Sequence, residues 1–378
     1  MSEYQYYEFQ AIDRRLTAAE MAELRSFSTR ARITSTSFVN DYEWGAFKGD
    51  EDAWMDKYFD AFLYFANWGT HILKLRLPSR LLDRGTAKPY CVGNSVSVRE
   101  RGGKTTIGFT SDDEAEEWSD QTDALSALTP IRTQLGRGDL RSLYLGWLLC
   151  AQTGEIEESD LEPPVPPGLR ELDGSLERLV EFLRIDTDLL DVAARASVPM
   201  QVQSLTRKAI RKWITDQTSA RKDEYLERFI ADEDPALAAE LQRMIGNRYD
   251  TLASFRSRRT AGALLEAAQQ AADERQRAEA ERARIEKLRR ERKTAQTRAK
   301  YLAEIAKKEP AVWAEIGSLI ATKQPASYDR AIILLVDLRD AAASRGHESR
   351  FVNRFESLRL EHARKPSLIA RLQRAGLP

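Results

Sequence analysis

Apolar and polar residues alternate through the first third of the chain and recur at helical spacing afterwards, which predicts an α+β region followed by helices. Residues 4 to 12 are aromatic-rich and extended, and Thr17-Ala18-Ala19-Glu20 is a capping box opening a helical stretch that ends at Phe27. A second strand is expected with Ile33, Ser35, Ser37 and Val39 on one side and Thr34, Thr36, Phe38 and Asn40 on the other, supported by Tyr42 and Trp44. Asp50 is placed to cap a short helix over 51 to 59. Phe62, Leu63, Tyr64, Phe65 and Trp68 then lead through Gly69 into the alternating run Ile72-Leu73-Lys74-Leu75-Arg76-Leu77, the pattern of a hairpin closing a small sheet. Another hairpin joins residues 96 to 99 with 105 to 109 across Arg101-Gly102-Gly103-Lys104, where two glycines suit a turn with positive φ. A helix over 139 to 151 buries Leu140, Leu143, Tyr144, Trp147 and Leu148.

Residues 155 to 168 form the sharpest break. Glu157, Glu158, Asp160 and Glu162 precede Pro163-Pro164-Val165-Pro166-Pro167-Gly168, which excludes helix and central strand and predicts an extended, semi-rigid linker. Helical stripes follow at Leu176, Leu179, Val180, Phe182 and Leu183, and at Leu189, Leu190, Val192 and Ala193. Short helices continue through Trp213, Tyr225-Leu226, Phe229-Ile230 and Leu237-Leu241-Ile245, with Pro199 and Pro235 at first-turn positions. From 258 to 308 there is no Pro and one Gly, and almost every residue is Ala, Arg, Glu, Lys or Gln. That is the composition of a long, solvent-exposed helix. Ile285, Leu288, Tyr301, Leu302 and Ile305 come at widening intervals, so no heptad seam is sustained. Pairs such as Asp273 with Arg277 and Glu286 with Arg290, and packing at the two ends, must hold it. About thirty-five helical residues would make a spacer of about 50 Å.

After Pro310, apolar stripes mark a series of helical hairpins. The first holds Trp313, Ile316, Leu319 and Ile320; the next holds Tyr328, Ile332, Leu335, Leu338 and Ala342 and ends at Gly346 as a C′ cap. Phe351, Phe355, Leu358 and Leu360 make a third, and a last turn carries Leu368, Ile369 and Leu372. Helix pairs in sequence point to a tetratricopeptide- or HEAT-type module. The expected fold class is therefore an α+β amino-terminal domain followed by a mostly α-helical region with one long charged helix and a helical-hairpin module. Its boundaries read 1–154 for the α+β domain, 155–168 for the acidic proline linker, 169–255 for a helical domain, 256–309 for the long helix and 310–378 for the hairpin module.

Composition adds limits on chemistry. At 378 residues, with 42% hydrophobic and 31% charged side chains, the chain should hold two or three cores. No stretch approaches the roughly 20 apolar residues that span a bilayer, and the start has neither a basic flank nor a hydrophobic run, so no membrane and a cytoplasmic location are expected. Charge is segregated: residues 111 to 200 carry 20 acidic and 7 basic side chains, and residues 201 to 310 carry 18 acidic and 25 basic. Such neighbouring fields attract each other in the fold or serve separate partners. Cys91 and Cys150 are too few for a disulfide framework, and His71, His347 and His362 lie too far apart for a metal site, so neither metal nor cofactor is expected. A Cys91–His71 nucleophile pair would require the strand after Gly69 to meet the loop at Tyr90; an ordinary strand histidine and a buried thiol are the adopted reading. The carboxylates Asp112, Asp113, Glu114, Glu116 and Glu117 read as a solvated turn or helix start. Gly102 to Thr106 lacks the spacing of a phosphate loop and reads as a hairpin turn.

Tyr6-Tyr7-Glu8-Phe9-Gln10-Ala11-Ile12-Asp13 and Phe65-Ala66-Asn67-Trp68-Gly69-Thr70, together with Ser327-Tyr328-Asp329-Arg330-Ala331 and Glu361-His362-Ala363-Arg364-Lys365, resemble a family of uncharacterised bacterial proteins of about this length. The tail alone is similar to the carboxy-terminal helical region of bacterial SWIM zinc-finger proteins, without their Cys and His zinc ligands. That resemblance implies a protein-binding or stacking module and transfers no catalytic residue. The resulting expectation is a non-enzymatic adaptor or assembly subunit with a protein partner, contacted through Trp44, Trp68, Tyr328, Phe351 and Phe355. A second reading is nucleic-acid binding. It would use Arg207, Lys208, Arg211 and Lys212 beside Trp213, Arg256, Arg258 and Arg259 after Phe255, and Arg289, Arg290, Arg292 and Lys293 of the long helix. Glutamates 279, 281, 286 and 291 dilute that last field. A third reading is an enzyme whose site lies within residues 1–154 and carries no recognisable signature.

Overall fold

The computed structural model describes residues 4–45, 47–113, 123–200, 206–231, 236–246 and 259–377, in two compact units, Met1–Glu274 and Arg275–Pro378. In the first unit the alternating segments form β1 (Gln5–Gln10), β2 (Arg32–Ile33), β3 (Ser37–Tyr42), β4 (Ala61–Ala66), β5 (Thr70–Pro78), β6 (Val96–Arg101) and β7 (Lys104–Asp112). They make one seven-stranded antiparallel sheet in the order β2-β3-β1-β4-β5-β7-β6. The single strand expected around Ile33 to Val39 is instead a hairpin, with Ile33 opposite Phe38 and Arg32 opposite Val39. The Thr34 amide donates to the Ser37 carbonyl, and the Thr34 and Ser37 hydroxyls bond each other at 2.7 Å. These local bonds close a turn where alternation alone suggested continuity. Gly102 and Gly103, at φ 59° and 74°, form the two-residue β6–β7 turn with the double positive φ of a type I′ connection.

Each sheet face has its own cover. α1 (Ala18–Phe27) begins at the expected capping box, with Thr17 Oγ1 accepting from the Glu20 amide at 3.2 Å and the Glu20 carboxylate accepting from the Thr17 amide at 2.8 Å. Asp50 caps α2 (Glu51–Lys57) through the Ala53 amide. These helices cover Tyr7, Phe9, Phe38, Phe62 and Tyr64, with Leu24, Trp54 and Phe59 completing a first core. The opposite face, Tyr6, Leu63, Phe65, Leu73, Leu75, Ile107 and Phe109, lies in a second core. Helices α4 (Ala124–Leu128), α5 (Pro130–Gly136), α6 (Arg141–Gln152), α7 (Gly174–Leu183) and α8 (Thr187–Ala194) supply its other wall, while the short α3 (Arg84–Ala87) leads into a 3-10 turn ending at Tyr90. Because α6 is enclosed on all sides, its Arg141 is buried too and forms an ion pair with Asp139 at 2.7 Å. Pro163 to Gly168 is neither helix nor strand, as its prolines require, but it is packed rather than exposed: Val165 belongs to the second core and the Pro164 carbonyl accepts from Tyr90 Oη at 2.8 Å. The expected break at 155–168 therefore has continuous packing across it. Pro199 lies in an irregular stretch after α8 and opens no helix. Pro235 and the acidic positions 114, 116 and 117 fall outside the described residues.

Among the described residues three short helices follow, α9 (Arg207–Asp216), α10 (Ser219–Ile230) and α11 (Leu237–Gly246). The long helix is α12 (Ala261–Lys307), continuous as expected. Its first turns bury Ala261, Leu264 and Ala268 in the second core, and Arg259 just before it grips the fully buried Glu162 carboxylate at 2.6 and 2.9 Å, while Tyr144 Oη bonds the same group. Glu286 and Arg290 pair at 3.1 Å as the spacing requires, whereas Asp273 accepts from Gln269 instead. In the second unit Tyr301 donates to Asp337 at 2.8 Å, and Arg298 bridges Asp337 and Asp340. There α13 (Glu309–Ala321), α14 (Pro325–Ala343), α15 (Glu348–Glu361) and α16 (Pro366–Arg374) enclose a core of Trp313, Ile316, Leu335, Phe355 and Leu368. Gly346, at φ 68°, ends α14 with the His347 amide reaching the Ala342 carbonyl and its own amide reaching Ala343. That is the Schellman pattern expected of this glycine. No helix among the described residues is long and apolar enough to cross a membrane.

Candidate docking surface

The most exposed apolar surface in the first unit lies on α9–α11. Thr206 and Thr218 cap α9 and α10 through the amides of Ala209 and Arg221. Ile210, Trp213 and Ile214 repeat along one side of α9, and Tyr225, Leu226 and Phe229 along one side of α10. The Trp213 and Tyr225 rings meet at 5.9 Å. Between the helices is a groove of about 480 Å³ lined by Trp213, Ile214, Tyr225, Leu226, Phe229 and Leu241, with Lys222 as its charged wall residue. Burial of these faces is far from complete, for Phe229 is 74% exposed and Ile230 78%. Among the described residues these apolar faces stay largely in water, as large hydrophobic side chains of a folded unit seldom do. α11 fastens the group to the sheet body: Glu240 joins Arg80 at 2.9 Å and Arg228 at 2.6 Å, and Arg243 donates to the Leu81 carbonyl.

Basic side chains also lie along α9. Arg207, Lys208, Arg211 and Lys212 are all exposed, and among the described residues none of them forms an ion pair. Arg207 and Arg211, at i and i+4, continue the stripe of Ile214 at i+7. The other cations expected to meet phosphate separate from them. Arg259 is engaged by Glu162 and by the Val192 carbonyl at 3.2 Å. Arg289, Arg290, Arg292 and Lys293 are exposed on α12, with Arg290 paired to Glu286. Arg256 and Arg258 lie outside the described residues.

The aromatic candidates divide by unit. Gln5 of β1 pairs with Tyr42 on one side and Ala66 on the other, so Trp44 and Trp68, each two residues beyond a strand end, stand at the same end of the sheet. Two strand spacings, about 10 Å, separate those strands. Trp44 is 74% exposed and Trp68 41%. In contrast Tyr328, Phe351 and Phe355 are buried in the core of the second unit, where the Phe351 and Phe355 rings stack at 5.7 Å. The expectation that these three form a contact surface is corrected: aromatics at i and i+4 on an amphipathic helix face inward because their area is what closes the core.

Several buried titratable groups in residues 1–154 are held by partners within the fold. Asp60, buried on the sheet face shared with Lys74 and Arg76, accepts from the Ile12 and Asp13 amides at 2.9 and 2.8 Å and meets Lys104 at 3.1 Å. Burial opposes its charge most strongly, but Lys104, the two amides and Arg132 together hold its carboxyl below the ordinary range. Arg132 closes the ring onto Asp13 at 2.6 Å. His71 is no partner for Cys91, since its Nδ1 faces the Phe182 carbonyl at 2.9 Å and its Nε2 faces Arg184 Nη2 at 3.0 Å. The first contact requires a proton on Nδ1, and the second requires Nε2 to accept. Burial pushes both thiols, Cys91 and Cys150, up to about 12, the opposite of an activated nucleophile.

The sequence located α9–α11 but not the exposure of their apolar faces. The available signal was the density of large apolar residues, Trp213, Ile214, Leu226, Phe229 and Ile230, in helices of ten and twelve residues. No family model, curated protein or solved structure matches this chain.

Proposed function

We propose that this chain is a non-catalytic, cytoplasmic adaptor that binds another protein in the groove between α9 and α10. The open apolar groove is the observation that carries this reading, because leaving Leu226 and Phe229 in water forfeits about 25 cal/mol for each Å² that a partner would cover. The exposed Trp44 and Trp68 offer a second contact at one sheet end, in keeping with the weight of Trp at protein interfaces. The helix pairs of the second unit support a stacking module of tetratricopeptide or HEAT type, whose contact face would consist of residues other than Tyr328, Phe351 and Phe355. The test is photo-crosslinking in cells from a benzoylphenylalanine at position 229. A protein adduct that disappears when Leu226→Asp is added supports the adaptor; a nuclease-sensitive adduct overturns it.

Nucleic-acid binding keeps one specific support, the four exposed cations of α9, without ion pairs among the described residues, that surround Trp213 in the sequence. In that reading, affinity for single-stranded RNA falls steeply with salt, and Arg207→Glu with Arg211→Glu flattens the slope by about two phosphate contacts. A salt-independent or undetectable interaction disposes of it.

A further inference from the structure

The geometry points to the chemistry of the groove's occupant: an amphipathic α-helix with an apolar stripe and acidic flanks. This rests on the docking reading above. All three walls are helices, whose backbone groups are satisfied internally, and the lining is apolar apart from Gln217 and Lys222. Gln217 already donates its side-chain amide to the Trp213 carbonyl at 3.2 Å. An extended peptide laid here would bury backbone N–H and C=O groups with nothing to receive them, whereas a helix brings its own bonds. α10 has twelve residues, a length of about 18 Å that seats about three turns of a guest helix with anchors at i, i+4 and i+7.

Charge fixes the flanks. Arg207 and Arg211 extend the Ile214 stripe of α9, and Lys222 stands on the α10 wall. At 100° per residue the acids of α10, Asp223, Glu224 and Glu227, fall on the side away from Lys222 and Phe229, whereas Asp216 of α9, opposite Arg207 and Arg211, falls on the Trp213 edge of the groove. Among the described residues the groove is therefore basic along its Ile214 edge and at Lys222, with Asp216 at the Trp213 edge. A guest with Glu or Asp beside its apolar stripe gains these contacts and a faster encounter, and a basic guest is repelled.

Full-length protein would be titrated, by fluorescence anisotropy, into two synthetic helices of about eighteen residues, long enough to cover the groove. They share a Leu/Phe stripe and differ only in carrying Glu or Lys on its flanks. The Glu helix should bind at least about tenfold tighter. Arg207→Glu with Arg211→Glu should erase or invert that preference, and Phe229→Asp, at an exposed position, should abolish binding of both. Equal affinities, a preference for the Lys helix, or Glu-helix binding untouched by Phe229→Asp would overturn the inference. So would tighter binding of single-stranded RNA or of phosphatidylserine-containing vesicles that displaces the Glu helix. If neither helix binds while the position-229 protein adduct persists, the acidic-helix inference fails and the docking reading stands; if the adduct is also absent, both fail.

Discussion

His71 shows how one buried side chain couples the fold to pH. Burial chiefly, and Arg184 further, push its imidazole down to about 4 against the pull of the Phe182 carbonyl. The unfolded chain protonates it near 6.5. Between those values the unfolded state binds a proton that the folded state refuses, so this contribution is complete above 6.5 and is lost as pH falls toward 4. Urea denaturation at pH 7.5 and pH 5 should differ by about 2 kcal/mol more in the wild type than in His71→Gln; identical differences would mean the ring is not held neutral. Glu162 poses a sharper case, because its carboxylate is fully buried and relies on Arg259 and Tyr144. Arg259→Ala should destabilise the first unit by about 3 kcal/mol through the stranded charge, and combining it with Glu162→Gln should recover part of that loss in the same assay. Neither arrangement was legible in the sequence. His71 could be placed on a strand by alternation, but its partners lie more than a hundred positions away, and Glu162 looked like one more acid of a solvated linker.

Among the elements, α6 makes the tightest fit. A Cβ on Gly146 would sit 2.5 Å from Val96 Cγ2 and 3.0 Å from the Phe109 ring. Valine has little rotamer freedom to withdraw. Gly146→Ala should therefore lower stability by about 1–3 kcal/mol despite its better helix propensity; a thermal midpoint at or above wild type would show that the sheet can give way. Local signals were read well where they are chemically specific, as at Thr17, Asp50, Gly102-Gly103 and Gly346. They failed where pattern alone decided. β2 and β3 continue one another's alternation, so nothing but the hydroxyl bonds of the turn reveals the reversal. In α9–α11 the same periodicity that identifies a helix cannot say whether its apolar side meets a core or water, which is why the groove had to be seen in three dimensions.

At the scale of the whole molecule, the two units have separate cores, aromatic around Phe9 in the first and around Phe355 in the second. Phe9 has the Phe62 ring at 4.4 Å and the Phe59 ring at 5.1 Å, and Phe355 is stacked on Phe351. Scanning calorimetry should resolve two transitions, with Phe9→Ala lowering one and Phe355→Ala the other, each by the several degrees that a loss of about 3–5 kcal/mol entails. A single transition lowered by both would mean the units unfold as one. The sheet order carries a further consequence, for synthesis. β1 is made first yet lies between β3 and β4, so its aromatic Tyr6-Tyr7-Glu8-Phe9 segment has no ladder on both sides until Ala66 has emerged. The face of Tyr6, Phe65 and Leu73 then waits for helices that end only at Ala194. At about 5–20 residues per second that interval is on the order of ten seconds, during which a nascent chain presents a bare, strongly aromatic sheet to the cell's chaperones.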